Sequence, residues 1–183
     1  MRMHLRFYFS NKYYFIIIGK CAFRTMQHIF ENHLNWKLIQ GNIDSKDKKF
    51  IAIVRHPVDR WIAGVAEQKK SYEDTEHFLK EELILSLINK SPLDGHTTYQ
   101  SKYFKGRESL ILFKLDHIDK LWDWFEEHDF KVPRDIHLNK HEDDDLKNKI
   151  YNNIKETLRV HPYLVLKILE KYAEDLKYYE GAI

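Results

Sequence analysis

The sequence predicts an α/β fold whose largely parallel sheet carries helices on both faces. Three observations predict it. Short apolar runs at Tyr13–Ile18, Phe50–Val54 and Ser109–Leu115 have the length and composition of buried strands. The chain after the first run repeats apolar residues at helical spacing, with Met26, Ile29, Phe30 and Leu34 on one face. Strands then alternate with helices along the chain, the pattern of a layered parallel sheet.

Each element follows in order. Leu5–Phe9 alternates weakly and reads as an edge strand, and Ser10–Lys12 turns into the strand Tyr13–Ile18. Phe23 to about Asn35 reads as a helix, and the polar stretch Gly41–Lys49 as a loop. Phe50–Val54 is the second strand. It ends in Arg55-His56-Pro57, and the proline suits the first turn of a helix reaching about Lys69. Asp74–Asn89 reads as a third helix, followed by irregular chain from Lys90 to Arg107. After the strand Ser109–Leu115, Asp116 or Asp119 is placed to cap a helix with Ile118, Leu121, Trp122 and Phe125 on one side. Leu146–Leu158 and Pro162–Tyr179 are the last two helices.

The 183 residues suit one domain, 1–183, with one core. A hydrophobic share of 43% and an aromatic share of 14% argue against disorder. With 30 basic against 28 acidic side chains, nucleic acid is a poor candidate partner, so any basic site is local. The longest apolar run is too short to span a bilayer. Met1–Arg6 lacks the apolar core of a signal peptide, and Cys21 has no second cysteine to pair with. These features lead to the expectation of a cytoplasmic protein without membrane partners.

Two segments carry the candidate chemistry. In Gly19-Lys20-Cys21-Ala22-Phe23-Arg24-Thr25 a buried strand runs into a lysine, a tight turn and a helix start. Helix N-termini expose unpaired N–H groups and the positive end of the dipole, so this segment suits an anion. It is not the glycine-rich loop of nucleotide triphosphatases, because only Gly19 is present and the lysine precedes the turn. In Val54-Arg55-His56-Pro57-Val58-Asp59-Arg60-Trp61-Ile62-Ala63 an arginine at a strand end is followed by a second arginine, a pattern that fits an anion clamp. Arg60 has a second reading, pairing with Asp59 or Glu67.

Together these segments resemble the sulfotransferases that use 3′-phosphoadenosine 5′-phosphosulfate, particularly the carbohydrate-type and small microbial members. Looser echoes follow in the family's order: Asp94-Gly-His96-Thr-Thr-Tyr-Gln100, Phe113-Lys-Leu-Asp116, Ile136-His-Leu-Asn139-Lys140, and the closing Tyr172–Tyr179. The resemblance implies a three-layer, P-loop-like fold with a mainly parallel central sheet flanked by helices. It implies sulfuryl transfer to a hydroxyl or amine of a carbohydrate or other small acceptor, releasing adenosine 3′,5′-bisphosphate.

By that resemblance, Lys20 neutralises charge on the bridging oxygen. Cys21, Ala22, Phe23, Arg24 and Thr25 cradle the 5′-phosphosulfate. Arg55 binds the 3′-phosphate, with position 63 beside it. Three positions depart from the family pattern: Gly19 replaces a proline, Arg24 stands where Thr or Ser is usual, and Ala63 replaces a serine. Losing that serine removes a hydrogen bond to a charged group, about 1.5–3 kcal/mol. No metal enters this scheme, and the sequence carries no zinc or magnesium pattern.

Sulfuryl transfer needs in-line alignment, charge stabilisation on the leaving phosphate and a base. His96 is the first candidate base and Glu67 the second; a loop-ordering histidine and a solvated helix residue are their structural alternatives. Cys21 is either a reactive thiol or a small residue lining the turn. His56 reads as a turn-ordering residue. Trp61, Trp122, Trp124, Phe125 and Phe130 read as core, Glu142–Asp145 as a solvated acidic turn, and Lys140 as a residue able to reach the donor. Two other functions stay open: a non-catalytic binding protein of this fold, and a nucleotide-dependent phosphoryl-transfer enzyme.

Overall fold

The computed structural model describes residues 6–10, 12–41, 48–136 and 145–183. The Ile136–Lys140 echo beyond Ile136, Lys140 itself and the acidic residues 142–144 lie outside them. The chain divides into two compact units. One comprises Met1–Arg55, Gln100–Asn139 and Tyr178–Ile183; the other comprises His56–Tyr99 and Lys140–Lys177.

The first unit is built on a five-stranded sheet among the described residues. Its strands are β1 (Arg6–Phe9), β2 (Tyr13–Ile16), β3 (Lys37–Gln40), β4 (Lys49–Val54) and β5 (Leu110–Lys114), in the order β3-β1-β2-β4-β5. β2–β4 and β4–β5 pair in parallel, whereas β1 is antiparallel to both β2 and β3. The sheet is therefore mixed, which corrects the mainly parallel, three-layer P-loop-like fold expected from the sequence. The reason is local. Only three residues separate β1 from β2, and so short a connection can only reverse the chain. β1 is also not an edge strand, because β3 pairs with its other side. Beyond β5, Ile183 donates its N–H to the Leu112 carbonyl and accepts from the Lys114 N–H, both at 2.9 Å, which covers an otherwise open edge.

Helices α1 (Phe23–Asn32) and α4 (Asp119–Glu127) bring aromatic residues to one face of the sheet. The Phe30 ring lies 4.7 Å from Phe15, 5.0 Å from Tyr8 and 4.9 Å from Trp36. Trp124 meets Tyr13 edge-on at 5.0 Å. Trp122, Trp124 and Phe125 are buried and Phe130 packs against them, the core role read for them in the sequence. Neither Asp116 nor Asp119 caps α4 through its side chain. Asp116 instead accepts a 2.7 Å hydrogen bond from the Tyr179 hydroxyl.

The second unit is helical among its described residues. It contains α2 (Pro57–Gln68), α3 (Glu81–Lys90), α5 (Asp145–Val160) and α6 (Pro162–Lys171), with most of α7 (Ala173–Glu180). Its core is aliphatic around three buried aromatics, Trp61, Phe78 and Tyr172, with Val65, Ile84, Ile150, Ile154, Leu164 and Ile168 among the aliphatic residues. The buried Trp61 indole donates to Ser91 Oγ at 2.8 Å, and Ser91 passes the bond on to the Leu87 carbonyl. Two expected helices are broken. Asp74–Asn89 is a 3-10 turn (Thr75–Leu79) followed by α3, and Pro162–Tyr179 breaks at Tyr172.

Candidate functional site

β2 and β4 are parallel neighbours, so the residues that follow them leave the same end of the sheet. Lys20 follows β2 and Arg55 directly follows β4. This is the edge at which ligands sit in parallel sheets.

The turn after β2 is built on an unusual backbone. Lys20 has φ 68° and Ala22 has φ 55°, both in the left-handed region, where non-glycine residues cost of order 1 kcal/mol or more. Gly19, the residue best suited to such a conformation, does not adopt it. Ala22 is the residue from which α1 starts, and the first intrahelical bond runs from the Met26 N–H to the Ala22 carbonyl at 3.0 Å. The N–H groups of Phe23 and Arg24 precede that bond, and no side chain caps the turn. Cys21 behaves differently: its N–H closes the turn onto the Ile18 carbonyl at 3.3 Å. Within the cradle read for Cys21–Thr25, the Cys21 N–H is thus turned to the Ile18 carbonyl, while Phe23 and Arg24 lie at the helix start.

The first turn of α1 holds no acidic residue, and the exposed Arg24 lies in it. A cation near a helix N-terminus opposes the dipole. Thr25 is buried, at 9% exposure. Arg55 is partly buried, and among the described residues its guanidinium enters no ion pair.

One residue joins these two turns. Gln100 is fully buried. Its Oε1 accepts the Arg55 N–H at 3.0 Å, and its Nε2 donates to the Arg55 carbonyl at 2.8 Å. The same Oε1 lies 3.3 Å from Cys21 Sγ, which donates to it. A donor-only N–H and an acceptor-only carbonyl together define the orientation of the side-chain amide. Gln100 thus continues the ladder one residue beyond β4 and attaches the Lys20–Thr25 turn to that extension. Sequence reasoning noticed Gln100 within the Asp94–Gln100 echo but gave it no role. Cys21 is buried in this bond, the position of a residue lining the turn.

The remaining candidates belong to the helical unit. Ala63 is buried on α2. Arg60 is 1% exposed and donates to the Thr98 carbonyl, so it supports the loop 94–98. Glu67 holds Lys147 at 2.9 Å and Lys70 at 3.0 Å. To act as a base it would have to leave two ammonium groups. His96 is exposed, and its N–H bonds Asp94 Oδ1 at 2.8 Å, as does the Thr97 N–H at 3.2 Å. Tyr172 closes the loop by donating to the Thr97 carbonyl at 2.6 Å. Burial pushes the Tyr172 phenol well above its ordinary range, with the Ser91 hydrogen bond and the Arg60 charge opposing. His56 precedes α2, and its carbonyl accepts the Arg60 N–H at 2.9 Å.

Among the described residues, no group of three His, Cys, Asp or Glu is placed to hold a metal, and no helix is long and apolar enough to cross a membrane. The first unit is defined by a mixed sheet with two basic turns at one end. No family model, curated protein or solved structure matches the chain.

Proposed function

We propose that the chain is a sulfotransferase taking 3′-phosphoadenosine 5′-phosphosulfate as donor and a hydroxyl or amine of a carbohydrate or other small molecule as acceptor. The observation that carries this reading is the pairing of Lys20 and Arg55 beyond adjacent parallel strands, tied through Gln100. A donor with two separate anionic groups matches two basic turns at one sheet end.

The fit rests on donor chemistry. Phe23 and Arg24 offer N–H groups at the positive end of α1, and Lys20 and Arg24 add charge there. These residues suit the 5′-phosphosulfate. Arg55 suits the 3′-phosphate, for which a guanidinium offers paired donors. The donor supplies the activated sulfuryl group. Lys20 holds positive charge where the leaving phosphate oxygen becomes more negative, the kind of electrostatic stabilisation that lowers such barriers most. The transfer also needs a base for the acceptor proton, and of the two residues proposed for it from the sequence, His96 and Glu67, the second is held by two lysines. A cytoplasmic setting belongs to this proposal and suits a reduced Cys21 thiol.

Thermal melting with adenosine 3′,5′-bisphosphate tests the reading. At a hundredfold excess over Kd, a ligand specific for the folded state adds about 2.7 kcal/mol, which raises Tm by roughly 5–10 °C at this size. No shift at millimolar ligand refutes it. A shift without transfer of labelled sulfate to any acceptor in a broad panel identifies a non-catalytic binding protein instead. Magnesium-dependent stabilisation by ATP in preference to the bisphosphate points to phosphoryl transfer.

A further inference from the structure

We infer that Gln100 is a positioning residue that sets the spacing of the two anion turns, and so selects ligands carrying two anionic groups over those carrying one. The inference rests on the reading of Lys20–Thr25 and Arg55 as anion-binding turns.

The geometry is that of a joint. β4 ends at Val54, so the N–H and carbonyl of Arg55 lie beyond the strand pairing. Gln100 takes both, at 3.0 and 2.8 Å. Its oxygen takes the Cys21 thiol as well, at 3.3 Å. One amide thus contacts the backbone that aims Arg55 and the turn that aims Lys20 and the start of α1. Gln100 is itself fully buried, and its own carbonyl is bonded by the Tyr103 N–H at 2.8 Å, which anchors it to the 3-10 turn Ser101–Tyr103. Moving either turn breaks a bond to the same side chain.

A ligand with one anion uses one turn and is indifferent to their spacing. A ligand with two anions bridges the turns and benefits when they are pre-set at its own length, because no ordering remains to be done on binding. Removing the joint therefore weakens two-anion ligands selectively.

The test compares adenosine 3′,5′-bisphosphate with adenosine 5′-monophosphate on wild-type protein and Gln100→Met, which keeps length and loses the polar atoms. The expected result is at least a tenfold loss of bisphosphate affinity with a change of under threefold for the monophosphate. Equal losses for both ligands overturn the inference, since a merely structural role affects them alike. Hydrogen exchange on the ligand-free protein supplies a readout independent of any ligand. In Gln100→Met, the Cys21 amide, which closes the turn onto the Ile18 carbonyl, and the Arg55 amide gain exchange together, while Phe15 and Ile51 inside the sheet do not. Loosening at Arg55 alone overturns the joint. If wild-type protein binds neither nucleotide, the functional reading falls, and the exchange result still decides the joint. Should Gln100→Met not fold, Cys21→Ala removes one arm only. It is expected to loosen the Lys20–Thr25 turn, leave the Arg55 amide protected and lower the bisphosphate preference several-fold; unchanged exchange and preference overturn the inference.

Discussion

Gly64→Ala is expected to destabilise the helical unit, although alanine is the better helix former. Gly64 lies inside α2. A Cβ there would stand 2.7 Å from the His96 carbonyl oxygen, 2.9 Å from Thr97 Cγ2 and 3.0 Å from the His96 carbonyl carbon. Two of these three atoms are backbone, so no rotamer change relieves the clash. The loop 94–98 would have to back away from α2, straining the Arg60–Thr98 and Tyr172–Thr97 bonds that hold it. Overpacking of this kind costs about 1–3 kcal/mol, and the rigid neighbours place it toward the upper end. Replacing glycine in a helix returns about 1 kcal/mol. The net loss is therefore about 1–2 kcal/mol, a Tm decrease of roughly 2–8 °C for this chain length. Urea unfolding followed by circular dichroism measures it. Gly95→Ala is the control, because nothing lies within 4 Å of its Cβ. If Gly64→Ala is as stable as wild type, the close approach of α2 to the His96 carbonyl is refuted.

Three further outcomes are expected. Burial tends to raise the Asp116 carboxyl, but the Tyr179 hydroxyl, its own backbone N–H, His117 and Lys114 outweigh it and hold the group below its ordinary value. A lowered acid stabilises the fold above its unfolded pKa and loses that contribution as pH falls through the folded value. Because Asp116 is exposed, Tyr179→Phe is expected to cost under about 1 kcal/mol at pH 7. The difference from wild type should shrink in melts below about pH 4, near the ordinary aspartate pKa. Ser91→Ala leaves the buried Trp61 indole N–H without its acceptor and is expected to cost about 1–3 kcal/mol by urea unfolding. Lys20→Met and Arg55→Met should each weaken adenosine 3′,5′-bisphosphate about ten- to a hundredfold, the worth of a hydrogen bond to a charged group, as read by calorimetric titration.

What was legible in the sequence follows from the range of the forces involved. β2, β4 and β5 are apolar enough to be recognised locally, and Pro57 marks the start of α2 by its own covalent geometry. β3 went unrecognised. It is four residues long and mostly exposed, with lysine and glutamine as its end residues, so it exists by pairing with β1 rather than by composition. The place of β1 in the sheet is likewise a property of its partners. The helix breaks were hidden for a related reason. Neither Lys80 nor Tyr172 is a glycine or proline, and the apolar spacing runs through both. Lys80 is extended, and Tyr172 is drawn out of helical geometry while its buried hydroxyl reaches the Thr97 carbonyl, a contact 75 residues away in sequence.

The candidate site divides along the same line. Lys20 and Arg55 were legible because a strand end is a local feature, whereas Gln100 lies 45 residues from Arg55 and 79 from Cys21, with no periodic signal to announce it. Arg24, the oddest substitution in the resemblance, acquires a physical sense from the structure. With Ala22 opening α1, Arg24 lies exposed in the first turn, at the positive end of a helix that has no acidic residue there, and Lys20 is four residues before it. A cation in the first turn, as Arg24 is, costs about 0.3–1 kcal/mol at low ionic strength. The two left-handed residues add backbone strain to the same few positions. A structural turn has no need of these costs together, and an anion bound there would offset the electrostatic share. The expected signature is ionic: sulfate or phosphate should stabilise the protein more than chloride at equal ionic strength, and Arg24→Glu should abolish the difference while raising stability without ligand.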